Sequence, residues 1–309
     1  MGSLIYQGNR LPSEHLANFN DLLKIATSPV VKTRPYTAQI KRAAPSAFVF
    51  LLDQSGSMSS TVSTATKQSM SKAEFVAEAV NKILLDTVSV SERGNDYYNY
   101  IDICVIGYGG DSDSTAKYAW EADLAGKDFV TITDLTQNLG GVSIEDKKWI
   151  SPVARSLTPM KQALALAHDT LVTWLAKYVG KDIFPPIVIN ITDGEATDGK
   201  SEDLIKAAQK IKNLKTTDGN VLLFNVHISD VSNQEVLFPC AQSELPNDPN
   251  AHLLFDMSSD LPDIFDANIA NMLKKDKNGA YSAMAFNANI ESIVNFLNIG
   301  TTPSRERIK

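Results

Sequence analysis

A doubly wound α/β fold, with a mostly parallel central sheet and helices on both faces, is predicted by three observations. Apolar runs of strand length at 47–52, 100–108 and 186–191 end at or just before an acid or a glycine. Fully buried parallel strands end this way at the carboxyl edge of a sheet. Segments with apolar residues at helical spacing alternate with these runs, the order of strand, crossover helix and strand. A further segment at 117–121 is expected to return antiparallel, giving one antiparallel edge strand.

In chain order, residues 1–45 form a lead-in arm. Its helix over 14–25 places Leu16, Phe19, Leu22 and Leu23 on one face, and a proline-containing stretch follows over 28–45. After the strand at 47–52, the Ser-, Thr- and Gln-rich segment 59–71 reads as a mobile surface loop. Ser71 suits the cap of a helix whose Phe75, Val76, Ala79, Val80, Ile83, Leu84 and Val88 make one apolar stripe. The second buried strand, 100–108, is closed by Gly107, Gly109 and Gly110. An insertion over 123–150 has weak periodicity, one strand-like piece at 129–132 and a turn at Gly140 and Gly141. It is expected to be irregular and surface-facing, near the carboxyl edge of the sheet.

Thr158 and Pro159 open a helix in the favoured order, hydroxyl at the cap and proline in the first turn. Leu164, Ala167, Leu171, Trp174, Leu175 and Tyr178 continue it on one face. The strand at 186–191 is closed by Asp193, and 201–214 is a helix. Strands are expected at 221–229 and 252–255, then a helix at 261–275 whose basic last turn suits its dipole. A final helix over 290–297 turns Ile293, Val294 and Leu297 inward, and 305–309 reads as a frayed tail. The expected division is therefore an arm over 1–45, one domain over 46–300 and a flexible tail over 301–309.

With 309 residues and 43% apolar content, the chain can bury one large core or two modest ones, and one enlarged domain is the simpler reading. Its 29 Lys and Arg against 36 Asp and Glu give a net charge of −7, and the short cluster Lys274, Lys275 and Lys277 is a poor nucleic-acid surface. No uninterrupted apolar span of about 18 residues occurs, and the first residues lack the basic start and apolar core of a leader, so no membrane partner is expected. Cys104 in an apolar strand and Cys240 in a loop are unlike a disulfide framework, which makes the cytoplasm the expected compartment.

The chemistry concentrates at the strand ends, where open α/β sheets bind ligands. Asp53, Ser55 and Ser57 alternate with Gln54 and Gly56, so a sharp turn at Gly56 can aim one carboxylate and two hydroxyls at a common centre. Thr158 in S-L-T-P-M and Asp193 in I-T-D-G-E lie at corresponding strand-end or helix-start positions. Hard oxygen donors of this kind suit Mg²⁺ or Mn²⁺, whereas zinc prefers nitrogen and sulfur.

Taken in order, D-x-S-x-S, then a threonine, then Asp followed by Gly, these stretches resemble the metal-site motifs of the von Willebrand factor type A (VWA) family over roughly 46–255. The resemblance implies a Rossmann-like sheet and a metal-ion-dependent adhesion site, MIDAS. Ser55, Ser57 and Thr158 would ligate directly, and Asp53 and Asp193 directly or through water. It also implies binding, not catalysis. Ser156 departs from the pattern, because many members carry glycine two places before the threonine.

The T-P-M wording and the closing A-F-N-A-N-I-E-S-I-V-N-F-L-N-I-G-T are similar to bacterial intracellular VWA proteins, including those associated with tellurite resistance and with kinase and phosphatase partners. The partner so implied is a protein that supplies Asp or Glu to the metal, from a kinase, phosphatase or ATPase of the same system. Three neutral hydroxyls and at most two carboxylates would leave Mg²⁺ residual charge and at least one water to exchange for that carboxylate.

The enzyme alternative is a metal-assisted phosphatase or phosphotransferase of the haloacid-dehalogenase-like type. Its pattern needs a second Asp two residues after the first, where Ser55 stands here. P-loop, nucleophile-elbow and dinucleotide signatures are absent from the sequence. A third reading is a scaffold with an idle site that binds through the arm or the insertion. His15, His168, His227 and His252 are scattered without ligand spacing and read as structural. Asp111 and Asp113 form either an acidic rim or a solvated loop. Trp120 and Trp174 belong to the core or an interface, Trp149 is a candidate contact residue, and Met58 either packs under its loop or contacts a partner beside the ion.

Overall fold

In the computed structural model, which describes residues 13–63, 69–228, 235–274, 279–289, 292–299 and 307–308, one sheet of seven strands carries the chain. In sequence they are β1 (Ser46–Asp53), β2 (Ile101–Tyr108), β3 (Ala116–Tyr118), β4 (Ile187–Thr192), β5 (Leu222–Ile228), β6 (Val236–Leu237) and β7 (Met284–Ala288). Their spatial order is β6-β7-β5-β4-β1-β2-β3; the five inner strands are parallel and both edge strands antiparallel. The chain leaves β1 for β2 on one side and returns later to β4 on the other, so the winding reverses between β1 and β4. Leu52 lies beside Ile191 in register, which brings the two carboxyl ends out together at that reversal.

The helices are α1 (Ser13–Thr27), α2 (Lys72–Val90), α3 (Ile132–Gln137), α4 (Met160–Ala176), α5 (Ser201–Asn213), α6 (Pro249–Met257), α7 (Asp266–Leu273) and α8 over 292–299. Every residue of β1 is buried, and the two-residue repeat of the strand splits them between two cores. Phe48, Phe50 and Leu52 pack with Phe75, Val76 and Val80 of α2 and with Phe265 and Phe296. Ala47, Val49 and Leu51 pack with Leu164, Leu171 and Trp174 of α4 and Leu204 and Ile211 of α5. Two-sided burial explains why β1 reads as an unbroken apolar run from Ala47 to Leu52. The α2 stripe starts as expected, with Ser71 and Glu74 closing a capping box.

One carboxylate is buried inside the second core. Asp102 of β2 accepts from Trp174 Nε1 at 2.8 Å and from the Tyr178 hydroxyl at 3.3 Å. Burial raises its pKa above the ordinary value, against the pull of those two hydrogen bonds. The folded state therefore holds its proton more tightly than the unfolded state, and ionisation costs stability as pH rises through the folded pKa. Asp102→Asn keeps an acceptor without the charge. We expect it to melt higher than wild type at about pH 7, with the difference shrinking toward about pH 4, as thermal denaturation at the two pH values would read.

Several expectations are corrected. The segment 59–71 is not a plain loop: a 3-10 turn, Gly56–Ser59, leads into a hairpin of Thr61–Ser63 against Ser69–Ser71, and 64–68 lie outside the described residues. The insertion is anchored inward. Val130 bridges Ile103, in the amino-terminal half of β2, Ile132 starts α3 instead of ending a strand, and Trp149 is 3% exposed with Nε1 donating to the Leu135 carbonyl. Buried Asn81 of α2 holds it by accepting from the amides of Trp149 and Ile150, so Trp149 is core and not a contact residue.

Residues 252–255 are helical, within α6, because Pro249 occupies the first turn and Asp248 accepts from the amides of Asn250 and Ala251. The helix expected at 261–275 starts later, after Pro262, as a 3-10 turn running into α7; Lys275 is outside the described residues. β6 and β7 were not expected, so the sheet has two antiparallel edges and not one. In the stretch read as a frayed tail, Ile308 bridges Ile40 and the Arg307 carbonyl accepts from the Ile40 amide; 305, 306 and 309 lie outside the described residues, as do 229, 290 and the side chains of Leu16 and His15.

Candidate metal centre

Three loops meet at the β1/β4 switch. The turn after β1 is tied to the segment before α4 through main-chain bonds, Gly56 to the Ser156 carbonyl at 3.0 Å and Arg155 to the Gln54 carbonyl at 2.7 Å. That segment is tied in turn to the loop after β4, where the Thr197 amide donates to the Thr158 carbonyl at 2.9 Å and Thr197 Oγ1 accepts from the Thr158 amide at 3.1 Å. Gly109, after β2, has φ +90° and lies so close to Leu157 that a methyl group would collide with its carbonyl oxygen.

Ser156 has φ +59°, the left-handed region where glycine sits without strain. Its departure from the VWA pattern is therefore a substitution at a position whose backbone suits glycine, and its hydroxyl bonds that of Ser114.

Four of the five expected side chains form one hydrogen-bonded set. Ser55 Oγ is 3.0 Å from Ser57 Oγ, and the Ser57 hydroxyl donates to Asp193 Oδ1 at 2.7 Å. Asp53, 2% exposed, accepts from the Ser55 amide at 2.9 Å and from the Thr192 hydroxyl at 2.7 Å. Burial pushes the Asp53 carboxyl up to about 6, opposed by the bonds from Ser55 and Thr192 and assisted by the charge on Asp193.

Thr158 joins through its main chain. Its hydroxyl does not cap α4, which begins at Met160; Asp198 does that instead, accepting from the amides of Lys161 at 3.0 Å and Gln162 at 2.9 Å.

The donors are hydroxyls and carboxylates, which suits a hard dication. Adjacent ligands of an octahedral ion with bonds of about 2.0–2.1 Å lie about 2.9 Å apart. The Ser55–Ser57 and Ser57–Asp193 separations of 3.0 and 2.7 Å are of that size. Among the described residues no cluster of three or more His, Cys, Asp and Glu could hold a metal, so any ion here would depend on the hydroxyls. Ser57 is exposed while Ser55 is buried, so the set opens to solvent on the Ser57 side.

Sequence reasoning missed two neighbours. Thr192 orients Asp53, and Lys72, the first residue of α2, places its ammonium 2.9 Å from Asp193 Oδ2. The only sequence signal for Lys72 is a cation in the first turn of a helix, where the dipole favours an anion.

No protein-family model and no curated protein matches the chain. Solved structures do. A von Willebrand factor type A protein from Catenulispora acidiphila is 16% identical over 60% of this chain and 34% of its own, with a TM-score of 0.36. The vWF domain of the type V pili tip protein Mfa5 from Porphyromonas gingivalis is 11% identical over 88% and 98%, with a TM-score of 0.42. Manganese-loaded TRAP protein from Plasmodium vivax is 15% identical over 59% and 57%, with a TM-score of 0.32.

The chain resembles von Willebrand factor type A domains. The likeness is one of fold, and the chain spans only about a third of the Catenulispora VWA chain.

Other residues singled out from the sequence do not join this hydrogen-bonded set. Asp111 is occupied by its own turn, accepting from the Thr115 amide and hydroxyl and from Lys117 Nζ, while Asp113 is exposed. Met58 is fully buried and packs under its loop. Trp120 and Trp174 are core and His168 pairs with Asp169, whereas His227 stacks on Phe286 beside Thr192 in the sheet, close enough to feel the charges of Lys72 and Asp193. No helix among the described residues is long and apolar enough to cross a membrane.

Proposed function

We propose that this protein is a metal-dependent protein-interaction module that captures an acidic residue of a partner. Asp53, Ser55, Ser57, Thr158 and Asp193 would hold Mg²⁺ or Mn²⁺, the two serines and Asp193 supplying donors and Asp53 orienting the Ser55 turn. The supporting observation is the Ser55–Ser57–Asp193 chain, which joins the ends of β1 and β4 at separations of 3.0 and 2.7 Å, the spacing of adjacent oxygens on one small ion.

When bound, the ion supplies a positive charge that neutral hydroxyls and at most two carboxylates leave in part uncancelled. A chain of net charge −7 needs such a local charge to attract a carboxylate. Leu157, 57% exposed beside Thr158, offers an apolar contact on the rim.

Isothermal titration of MnCl₂ and MgCl₂ into wild type and Ser55→Ala/Ser57→Ala tests this reading. One ion is expected to bind wild type, and affinity in the double variant is expected to fall by about a hundredfold or more, the loss of two ligands at about tenfold each or greater. Equal binding by the two proteins would place the metal elsewhere. Metal-dependent turnover of 4-nitrophenyl phosphate by the same preparation would favour the phosphatase alternative instead.

A further inference from the structure

We propose that Lys72 is a built-in competitor for the metal, its ammonium occupying Asp193 until a divalent ion displaces it. This rests on the metal-site reading above and adds what regulates it. Asp193 divides its two oxygens: Oδ1 accepts from Ser57 at 2.7 Å, on the side of the hydroxyl donors, and Oδ2 faces Lys72 Nζ at 2.9 Å. An ion gathered by Ser55, Ser57 and Oδ1 would therefore share one carboxylate with an ammonium already there. Both side chains of the pair are nearly sealed from solvent, Lys72 at 6% and Asp193 at 0% exposure. Water screens little of their interaction, and little of the repulsion between Lys72 and an arriving cation.

The placement of Lys72 carries two local costs. It is the first residue of α2, immediately after the Ser71 cap, where the helix dipole repels a cation. A buried lysine also gives up its hydration. Its position is nevertheless fixed, because its amide donates to the Ser60 carbonyl at 3.0 Å, tying the first turn of α2 to the loop that carries Ser55 and Ser57. A locally unfavourable residue, held rigidly over a site, is what a functional constraint leaves behind.

Two consequences follow. The centre responds to the concentration of divalent ion instead of being permanently loaded. Loading it disturbs the start of α2, since the ammonium that anchors that turn to Asp193 must withdraw.

The test titrates Mn²⁺ into the full chain as wild type, Lys72→Met and Lys72→Arg, and follows hydrogen exchange over 72–76 in wild type. Removing the charge is expected to tighten Mn²⁺ binding by at least about tenfold, while the charge-keeping Lys72→Arg is expected to bind no tighter than wild type. Saturating Mn²⁺ is expected to speed exchange at 72–76 in wild type. Equal affinities for wild type and Lys72→Met would overturn the competition and leave the metal site standing. Absence of Mn²⁺ binding in both would remove the metal site and this inference with it. Should Lys72→Met fail to fold, unchanged exchange at 72–76 in manganese-saturated wild type would by itself refute the competition.

Discussion

Asp193→Ala is expected to lose roughly 3 kcal/mol of stability and all measurable divalent binding, because one carboxylate serves both purposes. Removing it takes from the buried Lys72 ammonium the charge that faces it at 2.9 Å, and from the Ser57 hydroxyl its acceptor at 2.7 Å. The first loss dominates, since stripping one partner from a sealed ion pair costs far more than the net worth of the pair. The double variant Lys72→Met/Asp193→Ala removes both charges and should recover much of that stability while still failing to bind metal. Urea denaturation of wild type, both single variants and the double variant gives the coupling energy directly. Additive losses would mean that the two side chains act independently, contrary to their geometry.

The sequence revealed what burial on two sides imprints on it. β1, β2 and β4 are buried along their whole length because helices cover both faces, so apolar residues dominate them, interrupted only by Asp102 and Asn190 inside β2 and β4, and their ends are marked by Asp53, Tyr108 with Gly109, and Asp193. β6 has two residues and β7 only five, one of them polar and two alanine, too short and too weakly β-forming to register. α6 was misread because His252, Leu253, Leu254 and Phe255 carry no period of their own, although Asp248 and Pro249 supplied an ordinary helix start just upstream.

At the centre, the residues that converge were legible because each carries an oxygen at a strand end. What could not be read is who else arrives there. Lys72 comes from the far end of a hairpin, and Asp198 reaches across from the loop after β4 to cap α4, leaving the Thr158 hydroxyl out of that role. Such contacts depend on the final packing and leave no local pattern. Ser156 is intermediate: its left-handed backbone makes sense of a family preference for glycine, yet nothing in its own side chain announces the turn.

A second large loss is expected far from the proposed metal centre, at Asp218. This residue is fully buried in the turn of the small hairpin Lys215–Thr216 and Gly219–Asn220, and the arm before β1 is fastened to it. Its two carboxylate oxygens each accept a main-chain amide, Thr37 on Oδ1 and Ala38 on Oδ2, both at 2.9 Å, and Lys32 Nζ lies 2.6 Å from Oδ1. Its own carbonyl accepts from the Tyr36 amide at 2.6 Å, and the Tyr36 ring lies so close to Gly219 that any side chain there would strike it. Asp218→Ala strands the Ala38 amide in the interior and removes a charge from Lys32, so a cost of about 2–4 kcal/mol is expected. Asp218→Asn should cost a substantial part of that, because its amide nitrogen must face one of the two N–H groups it would need to accept. Hydrogen exchange separates the causes: loss of the clamp raises exchange over 36–40 in both variants while Mn²⁺ affinity stays at the wild-type value. A change in metal affinity would instead mean that the arm, at the amino edge of the sheet, is coupled to the loops at its carboxyl edge.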